Sequence, residues 1–420
     1  MPDPHSCTSR ETSPLLPGVV GFYFAARLCL TFLLFQSDPK VGAYIHFSLH
    51  GILLVGVAFY SFGPGSNSIA QLTQASSLRW VLAFLAVGLS SLAWSVTVSE
   101  AVAFAYWCEL ASEVLMILLL LRIGDVETMA AAIMKGYIAG AILIAMVEWL
   151  SPTMYDLRPG DDDFFSPNAI GFTCALAVFM IQLMNRTGIL WRIIAGFLAV
   201  SLLRSLSKTT IAAFVVSQGI LLLLDRSRTW KFKSALVLAA GAVFWVFSGL
   251  LWNYYEVYTH LGNESETLSG RLGIWLFVLQ RSVESPWIGH GFHSFRNVIP
   301  PFGSFEAWHA HNELLQQFYA YGAVGVVLLI GVYSSLLRHA RKASSQALRT
   351  QLTALLMFIF IRGLADTENF DLSLPLWLVS LLSCALAAGQ AATLSVAKAS
   401  TRGSAPLHPL TTSGIGEYAP

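Results

Sequence analysis

Apolar segments long enough to cross a lipid bilayer recur along the whole of this sequence. A helix needs about 20 apolar residues to span the roughly 30 Å of hydrocarbon, and that length predicts twelve membrane-spanning helices. Hydrophobic residues make up 55% of the 420 residues and charged residues only 12%, which excludes a soluble enzyme and a disordered protein. A net charge of +1 argues against a nucleic acid as partner. The predicted spans are residues 19–35, 41–62, 79–95, 101–121, 129–150, 169–185, 189–206, 209–224, 234–252, 314–336, 350–366 and 374–394.

The predicted spans divide the chain into five parts. The tails 1–18 and 395–420 are rich in Pro, Ser, Thr and Gly, a composition typical of unstructured segments. Spans one to nine occupy residues 19–252, spans ten to twelve occupy 314–394, and a large loop, 253–313, lies between them. The predicted fold class is therefore all-α, a polytopic membrane protein of about twelve transmembrane helices with one large outer loop.

Basic residues predict the orientation of these spans in the bilayer. Lys and Arg concentrate in two short loops, 225–233 and 337–349, and such loops face the cytoplasm. An even number of spans then places both tails in the cytoplasm and the 253–313 loop on the opposite side.

The large outer loop contains a candidate helix. Ser269 is suited to cap a helix that continues to Ser285, and Pro286 and two following glycines predict a turn after it. Apolar residues at helical spacing indicate an amphipathic helix at the membrane surface. These residues are Trp275, Leu276, Leu279 and Val283.

Arg271 falls in the first turn of this candidate helix. A helix N-terminus favours anions, and a guanidinium group can bind phosphate oxygens through two hydrogen bonds. Arg271 is therefore a candidate ligand of a diphosphate. The alternatives are a salt bridge with Glu264 or Glu266, or contact with lipid phosphates.

The segment HAHNELLQQFYAYGAVG begins at His309, where the loop enters the tenth predicted span. Histidine exchanges protons near neutral pH, so His311 is a candidate general base, with Asn312 beside it. A hydrogen-bonded interface histidine is the alternative. A metal site at His309 and His311 is not predicted, because no carboxylate or cysteine completes a recognisable ligand spacing.

Further charged residues occur within or beside apolar segments, where charges usually face a cavity or each other. Arg204 and Lys208 flank the turn RSLSK, and Arg362 is followed by Asp366 and Glu368. Arg362 and Asp366 stand four residues apart, so mutual neutralisation is one interpretation. Gly322 and Gly325 in the tenth span indicate close helix packing.

The sequence does not determine the roles of Arg158, with the acidic residues that follow it, and of Arg27. Arg158 precedes Asp161–Asp163 in a polar loop, which is either solvated or able to attract a divalent ion. Arg27 lies inside the first predicted span and is expected to face the helix bundle, with a partner that the sequence does not identify. Together, the outer-side cations and His311 suit a substrate whose anionic head lies above the membrane.

The ordered motifs between about residues 75 and 390 resemble the bacterial O-antigen ligase and Wzy-type polymerase superfamily, especially its exopolysaccharide-production branch. The motifs are GLSSLAWS (88–95), SPNAIG (166–171), SLSKTTIAAF (205–214), TLSGRLGIW (267–275), SPWIGHGFHSF (285–295), HAHNELLQQFYAYGAVG (309–325) and ADTENF (365–370).

This resemblance implies a GT-C-like membrane glycosyltransferase of the bacterial inner membrane, with its large loop and active site in the periplasm. Its donor would be an oligosaccharide on undecaprenyl diphosphate, used without a metal or other cofactor and with inversion. It implies His311 and Arg271 as catalytic residues. Relatives commonly carry Arg at the position of Lys208, which leaves open whether Lys208 or Arg204 meets the phosphate. The substrate-binding candidates are Arg204, Lys208, Asn312, Arg158, Glu368, Arg362 and His309.

Three functions remain open from the sequence. The first is polymerisation of exopolysaccharide or O-antigen repeat units, in the setting of a chain-length regulator and a flippase. The second is a ligase that transfers finished glycan to lipid A-core or protein. The third is a transporter of lipid-linked sugar, against which the single large loop and the lack of an internal repeat argue.

Overall fold

The chain folds into successive α-helices, as its apolar segments predict. The computed structural model describes residues 13–34, 39–62, 72, 75–150, 166–225, 228–238, 268–302, 306–343 and 345–403, with single positions between 241 and 249. Its helices are α1 (Leu15–Leu34), α2 (Pro39–Ser61), α3 (Ser76–Ser91), α4 (Glu100–Ile123), α5 (Val126–Leu150), α6 (Pro167–Leu183), α7 (Ile189–Arg204), α8 (Lys208–Leu224), α9 (Leu268–Ser282), α10 (Glu313–Arg341), α11 (Gln346–Gly363) and α12 (Leu376–Gly403).

Several of these helices have the length and composition of membrane spans. Among the described residues, α4, α5, α10 and Tyr44–Ser61 of α2 are long and apolar enough to cross a bilayer, and shorter apolar helices accompany them. The protein is therefore an all-α, polytopic membrane protein. Helices occupy eleven of the predicted spans, whereas the ninth, 234–252, falls mostly outside the described residues. That twelve helices cross the membrane stays a prediction.

Polar side chains fix where several helices begin. Ser99, Ser166 and Ser345 each accept a hydrogen bond from the backbone N–H three residues further on, which satisfies one of the free donors of the first turn. Pro167 follows Ser166 at the first position of α6, where its missing N–H costs nothing.

Helices α1 and α5 approach each other closely through glycine. A Cβ atom on Gly136 would lie 1.9 Å from the carbonyl oxygen of Gly18. Glycine therefore permits direct contact of the two backbones, the small-residue packing common between membrane helices.

The ends of several helices meet at one end of the bundle, and this end is called the site end below. Ser207, just before α8, donates to Asn168 of α6 over 2.7 Å. Asn312, just before α10, donates through Nδ2 to the carbonyl of Leu364, just after α11, over 2.9 Å. The chain thus brings residues that are far apart in sequence to one edge of the bundle.

Helix α10 is broken at Gly322, which has φ 62° and ψ −149°. Backbone of the segment 285–291 lies against the break: Ala323 donates to Pro286 over 2.8 Å, and Gly291 donates to Ala320 over the same distance. A Cβ atom on Gly322 would lie 2.4 Å from the carbonyl carbon of Trp287. The prediction that Gly322 serves helix–helix packing is wrong, because the glycine admits a loop whose backbone replaces the lost helical hydrogen bonds.

Helix α9 lies within the segment 253–313, where a helix was predicted, but Trp275 has a different orientation from the one predicted. Leu276, Leu279 and Val283 are exposed, so they form an outer apolar stripe as expected. Trp275 instead points inward and donates to the carbonyl of Ala310 over 3.0 Å. The neighbouring Ile274 and Val278 pack into a small core with residues of 295–319, which fixes α9 against the segment leading to α10.

Candidate active site

His309 and His311 lie against each other where the large loop meets α10. Their ring centroids are 4.1 Å apart, and the backbone N–H of His311 donates to Nδ1 of His309 over 3.2 Å. His311 has φ 49°, a conformation uncommon for a residue with a Cβ atom. Asn312 caps α10 by accepting from the N–H of Leu315 over 3.0 Å, so the helix start fixes the position of both imidazoles.

Asp366 joins His311 to a buried guanidinium. Nδ1 of His311 lies 3.6 Å from Oδ1 of Asp366, and Nη2 of Arg362 lies 3.1 Å from Oδ2 of Asp366 and 3.1 Å from Oε1 of Glu368. The guanidinium carbon of Arg362 also lies 4.3 Å from the ring centroid of Phe172. A carboxylate beside an imidazole orients the ring and stabilises its protonated form.

Burial and the neighbouring charges shift the pKa values of Asp366 and His309. Burial disfavours the charge of Asp366, but Arg362 and then His311 offset that effect, so the pKa of Asp366 lies below its usual value. Burial, followed by the neighbouring His311, lowers the pKa of His309 well below its usual value. Asp366 is therefore an anion and His309 is neutral at pH 7.

Arg271 lies at the same end of the bundle, between the N-terminus of α8 and the histidines. Its Nη1 donates to Oγ1 of Thr209 over 3.3 Å, and its charge contributes to lowering the pKa of His309. Trp275, one helical turn further along α9, holds the carbonyl of Ala310, the residue before His311. The structure therefore places Arg271 in the neighbourhood of the histidines, although the two motifs are far apart in sequence.

Arg204 and Lys208 differ in their surroundings. Arg204 donates to the backbone carbonyl of Glu148, lies 3.7 Å from Oε1 of the same residue and stands 4.8 Å from the ring centroid of Trp149. Lys208 is the first residue of α8 and is exposed. Arg204 ends α7 and Lys208 begins α8, so the two cations flank one short turn.

Some predicted residues lie outside the described part of the chain. Arg158 and Asp161–Asp163 belong to this group, as do Glu264 and Glu266, the alternative partners of Arg271. Their roles stay predictions.

Sequence reasoning missed several partners of the buried charges. Asp366 was expected to neutralise Arg362 but not to contact His311. Glu148 was not connected with Arg204, nor were Glu109 and Glu113 connected with Arg27. Glu109, Glu113 and Glu148 each interrupt an apolar helix, and an ionisable residue at membrane depth signals a buried partner.

The cluster around His311 also has a geometry that could hold a metal ion. Ligand atoms of His309, His311 and Asp366 lie within 4.8 Å of one another, so folding brings a carboxylate to the histidine pair, contrary to the expectation from sequence spacing. Asp366 already binds Arg362, whose positive charge opposes a cation at this place.

A comparison with known families agrees with the motifs. Residues 193–330 match the model of the Wzy_C family, described as O-antigen ligase. This segment includes α8, Arg271 and His311. The match supports the O-antigen ligase and Wzy-type superfamily, so the predicted resemblance is confirmed. It supports a membrane enzyme that processes glycans, of the ligase or polymerase type. A search of curated proteins found no match to the chain.

Proposed function

We propose that this protein is a glycosyltransferase that polymerises undecaprenyl-diphosphate-linked repeat units of exopolysaccharide or O-antigen at the periplasmic face of the bacterial inner membrane. The observation that carries the proposal is the His311–Asp366–Arg362 cluster, with Arg271 held close by between α8 and α9. A proton acceptor beside cations suits transfer from a diphosphate.

The reaction is a single displacement without a metal. The acceptor hydroxyl loses its proton to His311, and its oxygen forms a bond to the anomeric carbon of the donor sugar. The bond from that carbon to the diphosphate oxygen breaks, and the diphosphate leaves with the electron pair. Attack opposite the leaving group inverts the anomeric centre. The protonated His311 is stabilised by Asp366, which lies 3.6 Å away.

Arg271 and Lys208 stabilise the charge that develops on the diphosphate. Both lie near the N-terminus of α8, as the contact of Arg271 with Thr209 indicates, and the partial positive charge of a helix N-terminus adds to theirs. Arg204 supports this site from α7. Asn312, Glu368, Arg362 and His309 shape the surroundings of the acceptor hydroxyl.

The distribution of basic residues supports a periplasmic site. Arg338, Arg341 and Lys342 lie at the C-terminal end of α10, while Asn312 caps its opposite end. By the positive-inside rule, the basic end faces the cytoplasm. The lipid bilayer then holds the donor and the acceptor at the same depth in the membrane. A flippase and a chain-length regulator act beside the protein.

A ligase is the second candidate, favoured by the description of the matching family. It would use the same donor chemistry and transfer finished glycan to lipid A-core or to protein. A deletion strain separates the two. Single repeat units on the usual acceptor indicate a polymerase, whereas full-length polymer retained on undecaprenyl diphosphate indicates a ligase.

The site assignment is tested by complementing the deletion strain with Arg271→Ala and His311→Ala. We expect both variants to insert in the membrane and to lose long-chain glycan, because loss of a general base alone lowers a rate by about 100- to 10,000-fold. Arg281→Ala is the matched control on α9, since Arg281 is exposed and pairs only with Glu284 among its described ion-pair partners.

Normal glycan length in both site variants would reject the assignment. Loss of activity in a chelator would instead favour a metal at His309, His311 and Asp366. Purified protein that moves the donor between leaflets without consuming it would favour a transporter.

A further inference from the structure

A cavity of about 500 Å³ lies within the helix bundle, and Glu368 is among its lining residues. Its walls come from α1, α2, α4, α5, α6 and α12 and from the segments that carry Trp308 and Phe370. The volume lies within the roughly 300–1,000 Å³ typical of pockets for small ligands.

The deep part of the cavity holds a buried ion network. Nη1 of Arg27 lies 3.1 Å from Oε1 of Glu109 and also contacts Glu113, and Nε2 of His46 lies 2.6 Å from Oε1 of Glu109. Glu109 stands nine residues after the start of α4 at Glu100, roughly 13 Å along the helix. Polar groups at such depth usually serve a substrate or an ion.

One carboxylate of this network has hydrogen-bonding capacity to spare. The side chain of Glu113 is 1% exposed, and its Oε2 has no hydrogen-bond partner within the described part of the chain. A carboxylate oxygen only accepts hydrogen bonds, and a buried one without a donor is unfavourable. A ligand with hydrogen-bond donors, bound in the cavity, would therefore satisfy this oxygen of Glu113.

The middle of the cavity is aromatic. The ring of Tyr106 lies 4.7 Å from that of Phe370, and both lie close to the ring of His293, at 5.5 Å and 4.8 Å. Burial lowers the pKa of His293 to about 4, so the imidazole that lies against these two rings is neutral at pH 7. Flat aromatic surfaces next to hydrogen-bond acceptors match the two aspects of a sugar ring, its C–H faces and its hydroxyl edge.

Glu368 connects the wall of the cavity with the candidate active site. This residue lines the cavity and accepts from Arg362 over 3.1 Å, and Arg362 in turn binds Asp366 beside His311. The cavity therefore lies beside the cluster that contains the proposed base.

The charges disfavour three other occupants. A diphosphate would meet more carboxylates than guanidiniums, since Glu109, Glu113, Glu368 and Asp371 line the described walls against Arg27 and Arg296. A hydrocarbon tail would leave Oε2 of Glu113 without a hydrogen-bond donor, which is costly for a buried carboxylate. His50, Glu109 and Glu113 have donor atoms spaced for a cation, but Arg27 already contacts both carboxylates.

We propose that this cavity binds the acceptor saccharide: an uncharged sugar packs against Tyr106 and Phe370, donates hydroxyls to Glu109 and Glu113, and presents its reacting hydroxyl toward His311. The inference rests on the proposed function and applies to a polymerase and to a ligase with a lipid A-core acceptor, because both transfer glycan to a sugar hydroxyl.

The test uses full-length protein in lipid nanodiscs and two probes. One is the oligosaccharide released by mild acid from the lipid-linked intermediate of the deletion strain, and the other is undecaprenyl diphosphate without sugar. Glu109→Gln removes a charged acceptor, Tyr106→Leu removes the aromatic wall without touching the ion network, and Glu100→Gln is the control, exposed on the same helix. Calorimetry measures each affinity.

We expect Glu109→Gln and Tyr106→Leu to weaken oligosaccharide binding about tenfold or more and to leave undecaprenyl diphosphate binding unchanged, with Arg271→Ala showing the reverse. If Glu109→Gln does not fold, the oligosaccharide affinity of Tyr106→Leu alone decides whether the acceptor assignment holds. Unchanged oligosaccharide affinity, or loss of undecaprenyl diphosphate binding instead, overturns the acceptor assignment alone. A deletion strain without any lipid-linked intermediate overturns the proposed function, and the acceptor assignment with it.

Discussion

Arg362 is 2% exposed. Two carboxylates balance its buried charge, and they differ in their own exposure to solvent. Asp366 is 3% exposed, whereas Glu368 is 40% exposed. Both lie 3.1 Å from the same nitrogen of Arg362. Distance alone would rank these contacts as equal, but solvent screens the second and not the first.

We expect Asp366→Asn to destabilise the protein far more than Glu368→Gln. Removing one partner of a buried ion pair costs about 3–5 kcal/mol, whereas an exposed pair contributes about 0–1 kcal/mol. Thermal unfolding of the two purified variants, followed by circular dichroism in detergent, measures the difference. Equal unfolding temperatures would show that Asp366 does not hold Arg362 in the folded state.

At the scale of elements, the broken helix α10 connects the fold to the site. The segment 285–291 lies in the break at Gly322, and the same segment binds the turn after α3 through the N–H of Val96, which donates to His290 over 3.0 Å. Irregular backbone at membrane depth is tolerated only where protein surrounds it. Gly322 is therefore needed for two reasons: its backbone conformation breaks the helix, and its lack of a side chain lets the 285–291 segment pack there.

Gly322→Ala is expected to destabilise the protein by several kcal/mol. Its φ and ψ are essentially restricted to glycine, at about 1–3 kcal/mol for any other residue, and the added Cβ would lie 2.6 Å from the backbone nitrogen of Ile288. Gly219→Ala in α8 is the matched control, because nothing lies within 4 Å of its Cβ position. Unfolding temperatures in detergent provide the measurement, and similar losses in both variants would contradict this account of the break.

At the scale of the whole molecule, the two ends of the bundle have different chemistry. One end gathers His311, Asp366 and Arg271, whereas the other carries the basic residues at the C-terminal end of α10. This separation is what a transferase needs if its substrates lie on one side of the membrane and its orientation is set by Lys and Arg.

Cysteine labelling tests that orientation directly. Glu306→Cys and Lys342→Cys are made in a variant whose native cysteines are replaced by alanine, since both positions are exposed. We expect a membrane-impermeant maleimide to label position 306 in spheroplasts and position 342 only after permeabilisation. The opposite pattern would place the site in the cytoplasm and reject the proposed function.

The sequence predicted much of the fold because a lipid environment requires long apolar helices. Each such helix can be recognised from its own segment of the sequence. It also offered the pair of Arg362 and Asp366 as one interpretation, since residues four apart at the end of a helix meet without tertiary contacts. It gave a wrong role for Gly322 and a wrong orientation for Trp275. Both depend on a loop packing against a helix, which no local pattern reports.

The sequence by itself determined that the chain is a helical membrane protein with cations and histidines beside one loop, because hydropathy and charge are properties of local segments. Only the tertiary structure decided which acid each buried charge meets: Asp366 beside His311, Glu148 beside Arg204, and Glu109 and Glu113 beside Arg27. Those pairings arise where separate helices converge, and the strength of each depends on a burial that packing alone creates.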